Sequence, residues 1–266
     1  MIIVTGSKGF IGQNFLKALK DKEIKEVEKN DSWHFRQSFN DWDKVELILH
    51  QGAISHTTST NLKALQHFNV EFSQWILQQA IKYQIPIKYA SSASVYGHTL
   101  TDMNPLNYYA ISKLTVDYWI QDHINEFSFI QAFRYFNVYG EGEENKGDQA
   151  SPISKFAKQV KEDGKIKLFK GSDKFLRDFV CVDDVVNLVL ENDKEESGFY
   201  DLGTSNPVSF AQVAQWVVDK YGGEIEEVPF PDHLKRKYQE YTCAKKEWGD
   251  YKFKTIPEYL EGLPAS

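Results

Sequence analysis

Cysteine is scarce in this chain: Cys181 and Cys243 are the only two in 266 residues, far apart and without metal-ligand spacing. That excludes a disulfide framework and a cysteine metal centre, and it makes buried thiols in a reducing compartment the expectation. Positive charge is also in deficit. Lys and Arg number 31 against 38 Asp and Glu, a net charge of -7, so a nucleic-acid partner has no electrostatic support. A phosphorylated small molecule stays open, since it needs only local cations or a helix N-terminus. The histidines at 34, 50, 56, 67, 98, 123 and 233 show no ligand spacing, so no metal is expected. No segment reaches the roughly 18 apolar residues of a membrane span. The opening "MIIVTG" carries no basic leader, and a soluble cytoplasmic protein is expected. There is no repeat and no low-complexity tract.

What is present is core. Hydrophobic residues make up 41% and aromatics 14%, enough for one large α/β domain or a main domain with an annex. "MIIVT" reads as a buried strand, "FIGQNFLKALK" as a helix, and 45–53 as a second buried strand. Helical spacing runs over 62–83 and 106–123, with strands in "IPIKYASS" and "FSFIQAFRYF". Buried strands alternating with helices predict a doubly wound parallel sheet of Rossmann-like α/β type. After Gly140 the chain turns polar and glycine-rich. A helix over 152–162, a strand near 165–169 and a helix over 209–221 predict a small C-terminal domain that closes over a ligand. The expected boundaries are 1–143 with a return segment near 178–204, against 144–177 and 205–266.

"TGSKGFIG" places Gly6, Gly9 and Gly12 between the first strand and the first helix. Such glycines permit a tight turn and let backbone N–H groups approach a pyrophosphate at the helix N-terminus. An acidic residue about 20 positions on would hold the adenosine ribose. Asp31 is preferred for this, with Glu28 the rival. "NYYAISK" puts Tyr109 four positions before Lys113, so both point from one helix face. A free phenol, with a pKa of about 10, is no base near neutrality. An adjacent ammonium and an oxidised nicotinamide would both favour the phenolate. Ser92, ending the preceding strand, stands where a hydroxyl would hold the substrate oxygen. Asp183 and Asp184 read as a helix N-cap, Ser209 as another, and the Trp and Phe residues as core.

"TGSKGFIG", "HQGA", "SSASVYG", "YAISK" and "RYFNVYG", in this order, resemble the extended short-chain dehydrogenase/reductase superfamily. "RYFNVYG", "NKGDQAS", "KLFKGSDKFLRDFV" and "FPDHLKRKYQ" are most similar to the ADP-L-glycero-D-manno-heptose 6-epimerases of lipopolysaccharide core synthesis. The resemblance runs nearly end to end. It implies NADP or NAD, one dinucleotide per chain, bound by the N-terminal domain, with a nucleotide sugar bound by the C-terminal one, in a homo-oligomer.

Residue by residue, the resemblance puts Phe10 and Ile11 at the cofactor pyrophosphate and Gly52, Ala53 and Ser55 along the cofactor. Ser92, Tyr109 and Lys113 become the proton-transfer triad, and Asn137 and Val138 the junction of cofactor and substrate. Lys146 matches a second catalytic base, which epimerisation favours because one acid/base group serves only one face of the ring. Phe169, Lys170, Gly171, Ser172, Arg177 and Tyr238 would hold the substrate, with Arg177 at its phosphates.

The chain also departs from the family. Where relatives carry a further strand and helix near the adenine, only "SWHFRQSFNDWDK" remains, and the connection 97–106 is short. Asp148 replaces a serine and Lys155 a histidine at substrate positions. Asp31 argues for NAD, since a carboxylate repels a 2′-phosphate, while Arg36 could accommodate one. The expected function is an NAD(P)-dependent nucleotide-sugar epimerase, most like a heptose 6-epimerase. The alternatives are another sugar-nucleotide 4-epimerase or reductase, and a non-catalytic dinucleotide-binding relative. A 4,6-dehydratase is disfavoured, because "SSASVYG" lacks the Thr-Asp-Glu those enzymes use.

Overall fold

Ile2–Thr5, Leu47–His50 and Ile130–Tyr135 are buried along nearly their whole length, as strands covered by helices on both sides must be. The computed structural model describes residues 1–231 and 239–264. In chain order its strands and helices are β1 (Ile2–Thr5), α1 (Phe10–Ala18), β2 (Ile24–Val27), α2 (Ser32–Ser38), β3 (Leu47–His50), α3 (Leu62–Leu65), α4 (Phe72–Tyr83), β4 (Ile87–Ser92), α5 (Tyr108–His123) and β5 (Ile130–Tyr135). Then follow β6 (Asn137–Tyr139), α6 (Pro152–Asp163), β7 (Lys165–Phe169), β8 (Leu176–Arg177), β9 (Phe179–Cys181), α7 (Val182–Glu191), β10 (Gly198–Leu202), β11 (Val208–Ser209), α8 (Phe210–Tyr221), β12 (Glu224–Val228) and α9 (Ile256–Glu261). None of the described helices is long and apolar enough to cross a membrane.

The main sheet has the order β10-β5-β4-β3-β1-β2, and β1 through β5 pair in parallel. This is the expected Rossmann-like arrangement. The polar strand β2 lies at the edge, where charged side chains discourage pairing with another chain. The chain order reverses at β1, which sits between β2 and β3. The crevice beyond the C-terminal ends of β1 and β3 is therefore the topological switch point where such sheets bind ligands.

Two compact units divide the chain. The first is Met1–Tyr96, Met103–Tyr135 and Val186–Tyr200. The second is Gly97–Asp102, Phe136–Val185 and Asp201–Ser266. Residues 97–102 and 201–204, expected with the first domain, group with the second, and so do 136–143 and 178–185. For the last two the cause is local pairing: β6 forms its own two-stranded sheet with β9, Asn137 facing Phe179, instead of joining the main sheet.

The first unit's core joins Ile3, Ile48, Ile87 and Ile130 from the sheet to Ile76, Leu77, Val116 and Ile120 from the helices. The segment that reads as a remnant is structured. Ser32–Ser38 forms α2, and Phe35, Phe39 and Trp42 pack edge-on and tilted against one another and Trp75, while Trp42 stacks on Tyr83. Aromatic burial holds this segment on the first unit's core. The second unit has a separate core, in which Phe156 and Val160 of α6 meet Val213 and Val217 of α8. Ser209 caps α8, accepting from Gln212 N, as expected. Asp183 and Asp184 lie in the first turn of α7 and complement its dipole, but Asp184 is no cap. Its carboxylate accepts from Lys254 N and Tyr251 Oη at 2.9 Å each.

Candidate active site

The glycine turn follows β1 at the switch point. Gly6 has φ +65°, and a Cβ there would lie 2.6 Å from Gly52 Cα, so two strand ends meet backbone to backbone. A Cβ on Gly12 would lie 2.0 Å from the Gly6 carbonyl oxygen, which forbids any side chain. Gly9 is the N-cap of α1 and offers no side chain to its first turn, which also holds no acid. No side chain caps or neutralises that turn, and the start of a helix is the end that favours an anionic ligand. Phe10 is buried, Ile11, Gly52 and Ala53 half-buried, and Ser55 exposed.

The two candidate acids part ways. Glu28 directly follows β2 and accepts from Ser7 Oγ at 2.8 Å and Lys8 N at 2.7 Å, so its carboxylate is fastened to the glycine turn. Asp31 is exposed and precedes α2 without making a side-chain cap. Beneath the turn, Thr5 Oγ1 accepts from Gly52 N at 2.9 Å and lies 2.6 Å from His50 Nδ1, while His50 Nε2 lies 2.8 Å from Ser73 Oγ. Burial drives the His50 pKa down to about 3, with Lys113 acting in the same direction. It is a neutral core histidine.

Ser92 closes β4, and Asn107 caps α5 by accepting from Ala110 N. These two elements bring Ser92, Tyr109 and Lys113 together. The Ser92 hydroxyl is hydrogen-bonded to the Tyr109 side chain. Burial holds the Tyr109 phenol above its ordinary value against the effect of that bond, and Asp117 adds to the rise. The expected lowering by Lys113 is not met in the chain by itself. Lys113 is only 2% exposed and donates to Ala90 O at 2.7 Å and Tyr89 Oη at 3.5 Å. Burial lowers its pKa to about 8, opposed by Asp117.

Sequence reasoning passed over Asn69. It lies in a π-helical stretch, Gln66–Glu71, between α3 and α4, and is fully buried. Its side chain accepts from Ile54 N at 2.7 Å and donates to Ile54 O and Ser112 Oγ at 3.0 Å each. Ser112 Oγ in turn donates to Tyr109 O at 2.7 Å. One amide thus ties the loop after β3 to the helix turn that carries Tyr109. The available signal was an asparagine inside an otherwise apolar helix face.

In the second unit, Asn137 and Val138 begin β6, half-buried, with Asn137 N donating to Asp178 O at 3.0 Å. Lys146 sits in the loop 140–151, where burial lowers its pKa, Glu143 raises it and Lys155 lowers it. Glu143 is 2% exposed and accepts from Ser151 N at 2.9 Å. Burial raises its carboxyl pKa, against Lys146 and bonds to Ser151 and Gly140. Phe169 ends β7, and Lys170 N donates to Val228 O at 2.8 Å. Gly171 has φ +87°, and Ser172 is buried with its hydroxyl on Phe169 O. Arg177, in β8, is buried with its guanidinium 5.6 Å from the Phe210 ring centre. Phe169, Lys170, Gly171, Ser172 and Arg177 lie on the segment from the end of β7 to β8, while Tyr238 falls outside the described residues. A cavity of about 430 Å³ in this unit is lined by Tyr139, Trp216, Trp248, Tyr251 and others, and by none of the predicted substrate residues.

Solved structures share this fold at low identity. The ADP-L-glycero-D-manno-heptose-6-epimerase of Helicobacter pylori superposes with TM-score 0.82 at 23% identity, over 98% of this chain and 93% of that one. The Thermus thermophilus UDP-glucose 4-epimerase, solved with NAD, gives 0.78 at 18%, covering 98% and 97%. A monomeric L-threonine 3-dehydrogenase from a metagenome gives 0.80 at 20%, covering 98% and 96%. The last is a reminder that fold alone leaves the substrate open. At the level of sequence, the model of the NAD dependent epimerase/dehydratase family matches residues 2–200. With its glycine turn at the switch point and its Ser-Tyr-Lys set on β4 and α5, the chain belongs to that family.

Proposed function

We propose that the chain is an NAD(P)-dependent nucleotide-sugar epimerase that oxidises its substrate transiently to a ketone and returns hydride to the opposite face, most like an ADP-heptose 6-epimerase. The observation that carries this reading is the Ser92–Tyr109 hydrogen bond one helical turn from buried Lys113, in a chain of the epimerase/dehydratase family. The glycine cradle and the uncapped start of α1 fit a dinucleotide pyrophosphate, and Glu28 is proposed, in place of Asp31, for the adenosine ribose. Gly52, Ala53, Ser55 and Val138 complete the cofactor contacts. Bound there, a nicotinamide dinucleotide would supply reversible hydride transfer and, when oxidised, a positive charge.

Ser92 holds the reacting oxygen and Tyr109 takes its proton, the phenol needing outside positive charge because burial alone holds it neutral. Lys146 is the second acid/base group; burial lowers its pKa from the ordinary lysine value, which supports that role. Asn137, Phe169, Lys170, Gly171, Ser172, Arg177 and Tyr238 are proposed to hold the nucleotide sugar. Asp148 and Lys155, which replace a serine and a histidine, favour a second reading: a 4-epimerase or reductase acting on another sugar nucleotide. Tyr108, Ile111 and Tyr118 leave an exposed apolar stripe on α5, which supports a homo-oligomer. Cytoplasmic residence belongs to the same reading.

Mass spectrometry of nucleotides released from the denatured, purified protein tests the cofactor. NAD or NADP near one per chain is expected. No dinucleotide, and none retained when both are supplied, would favour a non-catalytic relative.

A further inference from the structure

Behind the triad lies a second set of buried charges. Asp117 stands one helical turn beyond Lys113 on α5 and is 2% exposed. One carboxylate oxygen accepts from Ser91 Oγ at 2.7 Å, the other from Arg134 Nε at 3.2 Å. Arg134, on β5, is itself held: it donates to Tyr96 Oη at 2.9 Å, and its guanidinium lies 4.7 Å from the Phe199 ring centre. Ser91 is the residue between Ala90, whose carbonyl takes the Lys113 ammonium, and Ser92, which bonds Tyr109.

A buried ion pair is a poor stabiliser, because desolvation offsets most of its attraction and apolar side chains of similar size would fill the space at no loss. Its placement, one residue from both partners of the triad, gives it another use. We propose that Asp117 is the positioning residue of the proton-transfer site: gripping Ser91 and Arg134, it fixes the Ala90–Ser92 end of β4 against α5 and provides the counter-charge that keeps Lys113 an ammonium. This rests on the reading of Ser92, Tyr109 and Lys113 as the triad.

The charged and titratable groups around Lys113 come from every packed element. Tyr109 and Asp117 lie on α5, Tyr89 on β4, His50 on β3 and Arg134 on β5. His50 is neutral and both tyrosines are held protonated by burial. Burial lowers the Lys113 pKa, and Asp117 is the charge that opposes it, itself held by Arg134. Removing the carboxylate leaves a buried guanidinium and disfavours the ammonium; removing the guanidinium does the reverse.

The test uses cofactor-free protein labelled with ¹³Cε-lysine, followed by NMR against pH. A resonance absent from K113R is expected to titrate near pH 8. In D117N, which keeps one acceptor oxygen of the two that Ser91 and Arg134 use, it should move down by about one unit or more. In R134Q it should move up. A resonance unmoved in D117N, or moved the same way by both variants, would overturn the proposal. Should D117N not fold, an unmoved or lowered resonance in R134Q is sufficient to overturn it. The titration needs no substrate. Loss of the triad reading would show separately, as nucleotide-sugar turnover surviving in Tyr109→Phe.

Discussion

Lys113 donates to the carbonyl oxygen of Ala90 at 2.7 Å, so the lysine of the proposed triad is fastened to the strand that presents Ser92. An ammonium so deeply buried carries a cost, and the cost depends on pH. Its folded pKa near 8 lies below the unfolded value near 10.5, so between those limits the unfolded state binds more protons. Stability contributed at this site therefore rises as pH increases from about 8 to 10. Lys113→Met is expected to remove that part of the slope, on the order of 1–3 kcal/mol across the window. Urea unfolding of both proteins at pH 7 and 9.5 checks it. An unchanged difference between the two pH values would contradict it.

Gly12→Ala places a methyl group 2.0 Å from the Gly6 carbonyl oxygen, and that contact is backbone on both sides. A loss of about 3 kcal/mol or more is expected, at the severe end of overpacking. Thermal unfolding of the variant measures it, and retained dinucleotide binding would show that the turn tolerates what the geometry forbids.

Glu28 and Asp31 differ in what they touch, and their variants should differ accordingly. Glu28→Ala is expected to weaken NAD binding by roughly tenfold or more, through loss of the proposed ribose contact. Asp31→Ala should leave it unchanged. Calorimetric titration with NAD distinguishes them; the opposite ranking would restore Asp31.

Asn69→Ala leaves Ile54 N and O without their side-chain partner and removes a donor from buried Ser112 Oγ. A destabilisation of about 2–3 kcal/mol is expected from unsatisfied polar groups. Turnover should fall further than occupancy of the cofactor, because Ser112 is bonded to the turn that carries Tyr109. Chemical denaturation and kcat measured on the same preparation test both parts.

Much of this was legible locally. The buried strands, the glycine turn and the i, i+4 pair Tyr109–Lys113 are set by periodicity and by spacing along one helix, which need no tertiary information. The rest depends on what meets in space. Glu28 and Asp31 are three residues apart, and only the path of the chain after β2 shows which reaches Ser7 and Lys8. Asn69 acts through partners 15 and 43 positions away. The pairing of Asp117 with Arg134 joins a helix to a strand, and the sign of the Tyr109 shift follows from burial that spacing does not reveal. The β6–β9 pair moved the unit boundary for the same reason.

The central claim is that Tyr109 passes the proton during epimerisation. Its most direct test is turnover of a nucleotide sugar by Tyr109→Phe and by the parent chain, each with one bound dinucleotide and the same circular dichroism. Loss of at least about a thousandfold in kcat with folding and cofactor binding retained is the expected result. Turnover at the parent rate would contradict the account.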